Sequence, residues 1–240
     1  TVTVTGVDED FVDQDQTTII TASILDVSSD DNFDAVADQT VSVTTTDDDV
    51  AGFTIAETDG STGVDESGST DLFTIVLDTQ PSSDVVLSIT SSDTGEATVE
   101  SLIQFTSVNW DTPQNVTVTG ADDGIIDGTQ TSTITVTVVD AITDDDFDAV
   151  ADQTVSVTTT DDDVAGFTIA ETDGSTSVTE AGSTDLFTVV LTGRPITDVA
   201  FSISSSDLTE TSVTSSLTFT SENWNTCLLY TSPSPRDNLP

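Results

Sequence analysis

The 240-residue chain has no histidine and no lysine, two basic residues in all, and one cysteine, Cys227. Disulfides, thiolate or imidazole metal sites, and Ser-His or Cys-His nucleophilic catalysis are therefore excluded within it. Two basic residues against 45 acidic ones leave a formal charge of −43, which argues against nucleic acid and anionic membrane as partners. No apolar run approaches ~18 residues, so no membrane insertion is expected.

What the chain has instead is aspartate, unevenly placed. Asp outnumbers Glu 36 to 9, and it comes in runs at the ends of β-rich stretches. A halophile-type acidic surface would use Glu as freely. Asp clustered in loops is what a hard cation with oxygen ligands requires.

The run Asp47-Asp48-Asp49-Val50-Ala51-Gly52-Phe53 returns as Asp161-Asp162-Asp163-Val164-Ala165-Gly166-Phe167, inside a block 33–62 repeated letter for letter as 147–176. The offset of 114 residues holds without a gap from Thr1 to Thr226. That period is too long for a solenoid or propeller unit and matches the size of an independent domain. Residues 50–163 then form one complete module, 1–49 the C-terminal half of another, and 164–226 the N-terminal half of a third. The two halves cover nearly all of one module between them, so head-to-tail copies of the chain could complete each other; an arbitrary cut through a longer array is the favoured reading. Residues 227–240 break the pattern. They hold the only Cys, the only Tyr, one of two Arg and half the Pro, resemble a translated sequencing adapter, and are expected not to belong to the natural protein.

Within the complete module, apolar residues alternate with Thr, Ser and Asp, the period of strands with one buried face. Strands are expected near 52–56, 71–78, 85–91, 102–106, 115–120, 132–139 and 154–159, with a shorter one at 97–100. Phe73, Ile75, Leu77, Val85, Leu87 and Ile89 face inward, and Val116, Val118, Ile134, Val136, Val138, Val155 and Val157 supply the opposite sheet. Seven or eight short strands without helical periodicity describe an all-β, immunoglobulin-like Greek-key sandwich. Trp110 is expected to plug one end of its core. In the first half-module, Val2, Val4, Ile20, Ala22, Ile24, Val41 and Val43 repeat the same alternation.

The acids converge at one pole of such a sandwich. Asp122, Asp123 and Asp127 follow the 115–120 strand, Asp161, Asp162 and Asp163 follow the last one, and the 63–68 segment can bring Glu66 to the same end. Carboxylates ~4 Å apart repel by ~4 kcal/mol at an effective dielectric of 20. Five or six of them together call for a cation. Calcium, with 6–8 oxygen ligands in flexible geometry, suits them better than magnesium. Metal-free, solvated acidic turns are the other reading. The loop 143–148 is a further acidic stretch, expected to be solvated.

Val116-x-Val118-x-Gly120-x-Asp122-Asp123-x-Ile125-x-Asp127-Gly128, the Asp65-Glu66-x-Gly68 ahead of the second strand, and Asp161-Asp162-Asp163-x-Ala165-Gly166 resemble the Calx-beta family. These are the sandwich repeats of sodium–calcium exchangers, with relatives in integrin subunits and large bacterial surface proteins. The resemblance implies calcium at the junction with the next module, with Glu66, Asp122, Asp123, the Ile125 carbonyl, Asp127, Asp161, Asp162 and Asp163 as ligands. For the first half-module it implies Asp8, Glu9, the Phe11 carbonyl, Asp13, Asp47, Asp48 and Asp49. The chain departs from the family at Ser92–Glu96, which replaces a Gly-Ser-Asp-Tyr element, and at Gln16 and Gln130, which stand where an acid is frequent.

A calcium-stiffened structural or adhesive module of a long extracellular surface protein is the expected function. Its partners would be neighbouring modules, head-to-tail copies, and a surface receptor or glycan. Near-exact repetition suits a spacer. A carboxylate-pair glycosidase fits poorly, because its acids belong in a cleft and not at repeated strand ends.

Overall fold

The structure, a computed structural model, describes residues 1–213, 215–226 and 228–233. Most of the alternating stretches become strands. The first pair is β1 (Gln16–Ala22) and β2 (Gln39–Thr45). The middle repeat supplies β3 (Phe53–Glu57), β4 (Thr62–Asp65), β5 (Thr70–Leu77), β6 (Val85–Ser91), β7 (Ala97–Val99), β8 (Leu102–Phe105), β9 (Gln114–Gly120), β10 (Gln130–Val138) and β11 (Gln153–Thr160). Then come β12 (Phe167–Glu171), β13 (Thr184–Leu191), β14 (Val199–Ser202), β15 (Ser216–Phe219) and β16 (Leu228–Pro233).

In the middle repeat, sheet β4-β11-β10-β6-β8 faces sheet β3-β5-β9-β7. Phe73, Ile75, Leu77, Val116 and Val118 of the second sheet meet Val85, Leu87, Ile89, Ile134, Val136, Val155 and Val157 of the first, all buried. This is the expected β-sandwich. The division of strands between sheets differs from the one expected. β5 bonds β9 and β6 bonds β10, so Phe73 and Val116 share a sheet while Val85 lies opposite. The 78–84 link crosses between sheets, as a Greek key requires, and alternation marks the buried face of a strand without naming its neighbour.

Strand β4 was not expected. It is an edge strand paired in parallel with β11, Asp65 opposite Thr160, and it carries the chain directly to Glu66. Its counterpart at 176–179 forms no strand, for among the described residues that repeat has no partner equivalent to β11. Trp110 packs half-buried against the core as expected, its carbonyl accepting a hydrogen bond from Leu77 N at 3.1 Å.

The first 49 residues depart from their repeat. Among the described residues β1 and β2 pair only with each other, and Ile19, Ile20 and Val41 stay exposed. Residues 1–6 form no strand, so the buried face expected for Val2 and Val4 is absent. A two-stranded sheet has nothing to bury that face against. At the other end β13 pairs with β16 in the register of β5 with β9, Thr184 opposite Pro233 as Thr70 is opposite Thr119. Of the expected non-native tail, Cys227 and residues 234–240 lie outside the described residues.

The 143–148 loop is not simply solvated. Asp144 is buried, and its Oδ2 accepts from Ser83 N at 2.7 Å and Ser82 Oγ at 2.8 Å, anchoring the loop to the core beside Phe147. No helix among the described residues is long and apolar enough to cross a membrane.

Candidate metal centre

Four segments bring acids to one end of the sandwich. Glu66 continues the β4–β11 ladder, its amide donating to Thr160 O at 3.1 Å, which sets it beside Asp161. β4 lies so close to β9 that a Cβ on Gly120 would stand 2.0 Å from the Asp65 carbonyl oxygen. Glu96 precedes β7, and its carbonyl accepts from Ala121 N at 2.9 Å and Thr159 Oγ1 at 3.4 Å. The loop after β9 supplies Asp122, Asp123 and Asp127, and the chain beyond β11 supplies Asp161–Asp163.

Asp161 organises the loop. Its Oδ2 accepts from Gly128 N at 2.7 Å and Asp127 N at 3.1 Å, and its Oδ1 accepts from Asp163 N at 2.7 Å. These amides hold the Asp161 carboxyl below its ordinary range, the Gly128 bond contributing most. Asp123 Oδ1 accepts from Ile125 N at 2.7 Å, and Asp122 Oδ1 from Gly124 N at 3.2 Å, closing a turn in which Gly124 takes φ +68°.

Three sets of carboxylate oxygens lie within 4.8 Å of one another: Glu66, Glu96 and Asp127; Glu66, Asp161 and Asp163; and Asp122, Asp162 and Asp163. Glu66 is 1 % exposed and Glu96 6 %. Burial, followed by the charges of Asp161, Asp123, Glu96 and Asp127, pushes the Glu66 carboxyl up to about 7. Burial and then Asp127 raise Glu96, and burial and then Asp161 raise Asp163. Each pair at that spacing repels by about 3–4 kcal/mol at an effective dielectric of 20.

The chemistry of this donor set fits a hard cation. Glu66 Oε2, Glu96 Oε2, Asp127 Oδ1 and Asp163 Oδ2 are buried with no hydrogen-bond donor. A buried anionic oxygen without a donor is expensive, and oxygen-only ligands from several flexible segments are what calcium takes. The first two sets share Glu66 and the last two share Asp163, which gives an inner position at Glu66 and an outer, more exposed one at Asp122 and Asp162.

Of the ligands expected for this pole, Glu66, Asp122, Asp127, Asp161, Asp162 and Asp163 are brought together. Asp123 is turned to the Ile125 amide while adding its charge to the site. Glu96 was not expected, because its segment departs from the family pattern. The repeat carried a signal for it: Glu96 recurs as Glu210, as Glu66 does as Glu180 and Glu57 as Glu171.

The first set is only partly assembled. Asp47 repeats the role of Asp161, its Oδ2 accepting from Gln14 N at 2.7 Å and Asp13 N at 3.1 Å. Glu9 and Asp49 are raised above their ordinary range by burial first, then by Asp13 for Glu9 and by Asp47 for Asp49. Asp8, Glu9, Asp13, Asp47, Asp48 and Asp49 appear in none of the three close sets. Residues 1–49 hold no counterparts of Glu66 and Glu96 to draw them together.

Both acidic loops are bonded to the repeat that follows. Ile126 N donates to Arg194 O at 3.1 Å and Arg194 N to Gly124 O at 2.8 Å, leaving the Ile125 carbonyl outside the pairing. At the equivalent place Phe11 bridges to Gln80, whose amide donates to Asp10 O at 2.8 Å.

No family model and no curated relative matches the chain. Among solved structures it is similar to CBD12 from CALX1.2, with a TM-score of 0.33 and 15 % identity over 77 % of this chain and 76 % of that one. It is similar to the calcium binding domain CBD12 of CALX1.1 at a TM-score of 0.32 and 14 % identity, over 77 % and 76 %. It is also similar to domains 4 and 5 of the S-layer protein SbsC at a TM-score of 0.34 and 19 % identity, over 60 % and 58 %.

Proposed function

We propose that the chain is a calcium-stiffened structural and adhesive repeat of a long extracellular surface protein. The observation that carries this reading is the set of four buried, donorless carboxylate oxygens on Glu66, Glu96, Asp127 and Asp163. Asp161 shapes the loop around them, and Asp122 and Asp162 lie outward. Asp123 and the Ile125 carbonyl complete the proposed set, and Asp8, Glu9, the Phe11 carbonyl, Asp13 and Asp47–Asp49 serve the preceding joint. Bound calcium supplies the positive charge that offsets their mutual repulsion.

The link to stiffness is the loop 122–128. It carries acids on one side and hydrogen bonds to Arg194 of the next repeat on the other. When the carboxylates repel, the loop moves away from Glu66 and Glu96 and its grip on Arg194 loosens. When they are neutralised, the same loop ties the two repeats together. Its partners are neighbouring repeats, and its target is a surface receptor or glycan. Small-angle scattering tests the stiffening: excess calcium should narrow the distribution of chain dimensions and lengthen the mean, and Asp127→Asn should suppress the change. Identical scattering in calcium and in chelator contradicts the reading.

A further inference from the structure

The middle repeat shows what its own core requires, and the two ends of the chain each lack what the other exposes. Phe147, in the turn between β10 and β11, is 1 % exposed and packs in the cluster with Phe53, Leu77, Val85 and Leu87. Its copy Phe33, between β1 and β2, is 55 % exposed, although residues 33–45 are identical to 147–159. On the acceptor side Phe53 is 2 % exposed, whereas its copy Phe167 is 51 % exposed. Phe167, Leu191, Pro195, Val199 and Phe201 line an open groove of about 570 Å³. Their counterparts 53, 77, 81, 85 and 87 are all buried in the middle repeat.

The backbone edges match in the same way. β6 bonds β10 on one side and β8 on the other, while its copy β14 bonds only β15 among the described residues. β10 bonds β6 and β11, while its copy β1 bonds only β2 among the described residues. One unpaired edge with an apolar groove therefore stands at residues 199–202, and one unpaired edge with an exposed Phe stands at 16–33.

We propose that this groove takes up the β1–β2 hairpin of a second copy of the chain. β1 lies along the free edge of β14 as β10 lies along β6, and Phe33 packs over Phe167 and Phe201, whose rings meet edge to face at 4.9 Å, as Phe147 packs in the cluster that holds Phe53 and Leu87. The middle repeat is the template for every contact. β16 already holds the place on β13 that β9 holds on β5, so the donor is the hairpin and its Phe33 turn, not residues 1–6. Strand addition supplies main-chain hydrogen bonds, and the Phe33 pocket supplies register. Donor and acceptor are different surfaces, so the contact is head-to-tail and repeats without closing. The charge of −43 on each copy opposes it and is screened by salt.

Sedimentation of the full chain tests this. The mass should grow with concentration beyond two chains, and more so at high ionic strength. Phe33→Asp alone and Phe167→Asp alone should each remain single chains, with the melting transition of the middle repeat retained. Mixed together, they should form a dimer and stop, since one brings an intact groove and the other an intact hairpin. Ile20→Asp and Ile196→Asp, both at exposed residues, replace them if either fails to fold. A chain that stays single at every concentration and salt overturns the proposal. So does a wild-type assembly that stops at two, or one that Phe33→Asp leaves intact.

Discussion

Glu66 and Glu96 meet at the end of the sandwich with their carboxylates within 4.8 Å, each with one buried oxygen that finds no donor. Two such groups destabilise the fold on their own and stabilise it when a cation lies between them. Replacing either by glutamine should therefore act in opposite directions in the two states. Glu66→Gln and Glu96→Gln are each expected to raise the melting temperature of the metal-free chain. Each should also remove most of the rise that calcium produces. Differential scanning calorimetry with calcium and with chelator reads both effects. A variant that lowers both transitions equally would mark the pair as ordinary core.

The same burial sets a pH dependence. The Glu66 carboxyl is raised from 4.5 to about 7, so the folded metal-free chain keeps a proton that the unfolded chain has lost. That contribution is complete below about 4.5 and disappears as pH rises through 7. Glu96 and Asp163 are raised too and act in the same sense. The metal-free chain should melt at a higher temperature near pH 5.5 than near pH 8, because over that range the folded chain gives up the proton that the unfolded chain has already lost. The Glu66→Gln variant should show a shallower slope, which separates this group from the general relief of charge on acidification. Excess calcium should flatten or reverse the trend, because the proton and the metal compete for the same oxygens.

Asp161 tests the organisation of the loop. Its two oxygens accept from the amides of Asp127, Gly128 and Asp163, so Asp161→Ala releases two of the acidic segments together. Calcium affinity measured by titration calorimetry should fall about 10- to 100-fold, the range seen when a group that orients metal ligands is removed. An unchanged affinity would mean that the loop holds its shape without Asp161.

Much of this was legible in the sequence. The 114-residue repeat and the alternation of Phe73, Ile75 and Leu77 define a β-sandwich, and Asp161–Asp163 declare their end of it by following a strand. Which strands share a sheet was not legible: alternation marks a buried face but not a neighbour, and nothing in it shows that the 78–84 link separates β5 from β6 by crossing between the sheets. β4 was hidden by its polar sequence, since its strand character comes from pairing with β11. Glu96 was hidden by standing alone, whereas the Asp runs announce themselves. The exposure of Phe33 and Phe167 is a tertiary fact, for their identical copies are buried.

Gly120 probes the contact that seats Glu66. A Cβ at that position would lie 2.0 Å from the Asp65 carbonyl oxygen, so Gly120→Ala forces β4 away from β9. Overpacking of this kind costs about 1–3 kcal/mol. Here it should also move Glu66 and weaken the calcium response, whereas Gly60→Ala, at an open turn outside the cluster, should leave that response unchanged. Melting in chelator and in calcium distinguishes the two.

The central claim is that calcium binds the folded chain through the Glu66–Glu96–Asp127–Asp163 cluster, and one measurement reaches it most directly. The melting temperature of the full chain is followed against free calcium, beside the Glu66→Gln/Asp163→Asn double variant. A rise of roughly 10 °C is expected when calcium exceeds its dissociation constant a hundredfold, with the double variant losing most of it. Coincident melting curves in calcium and in chelator would contradict the account.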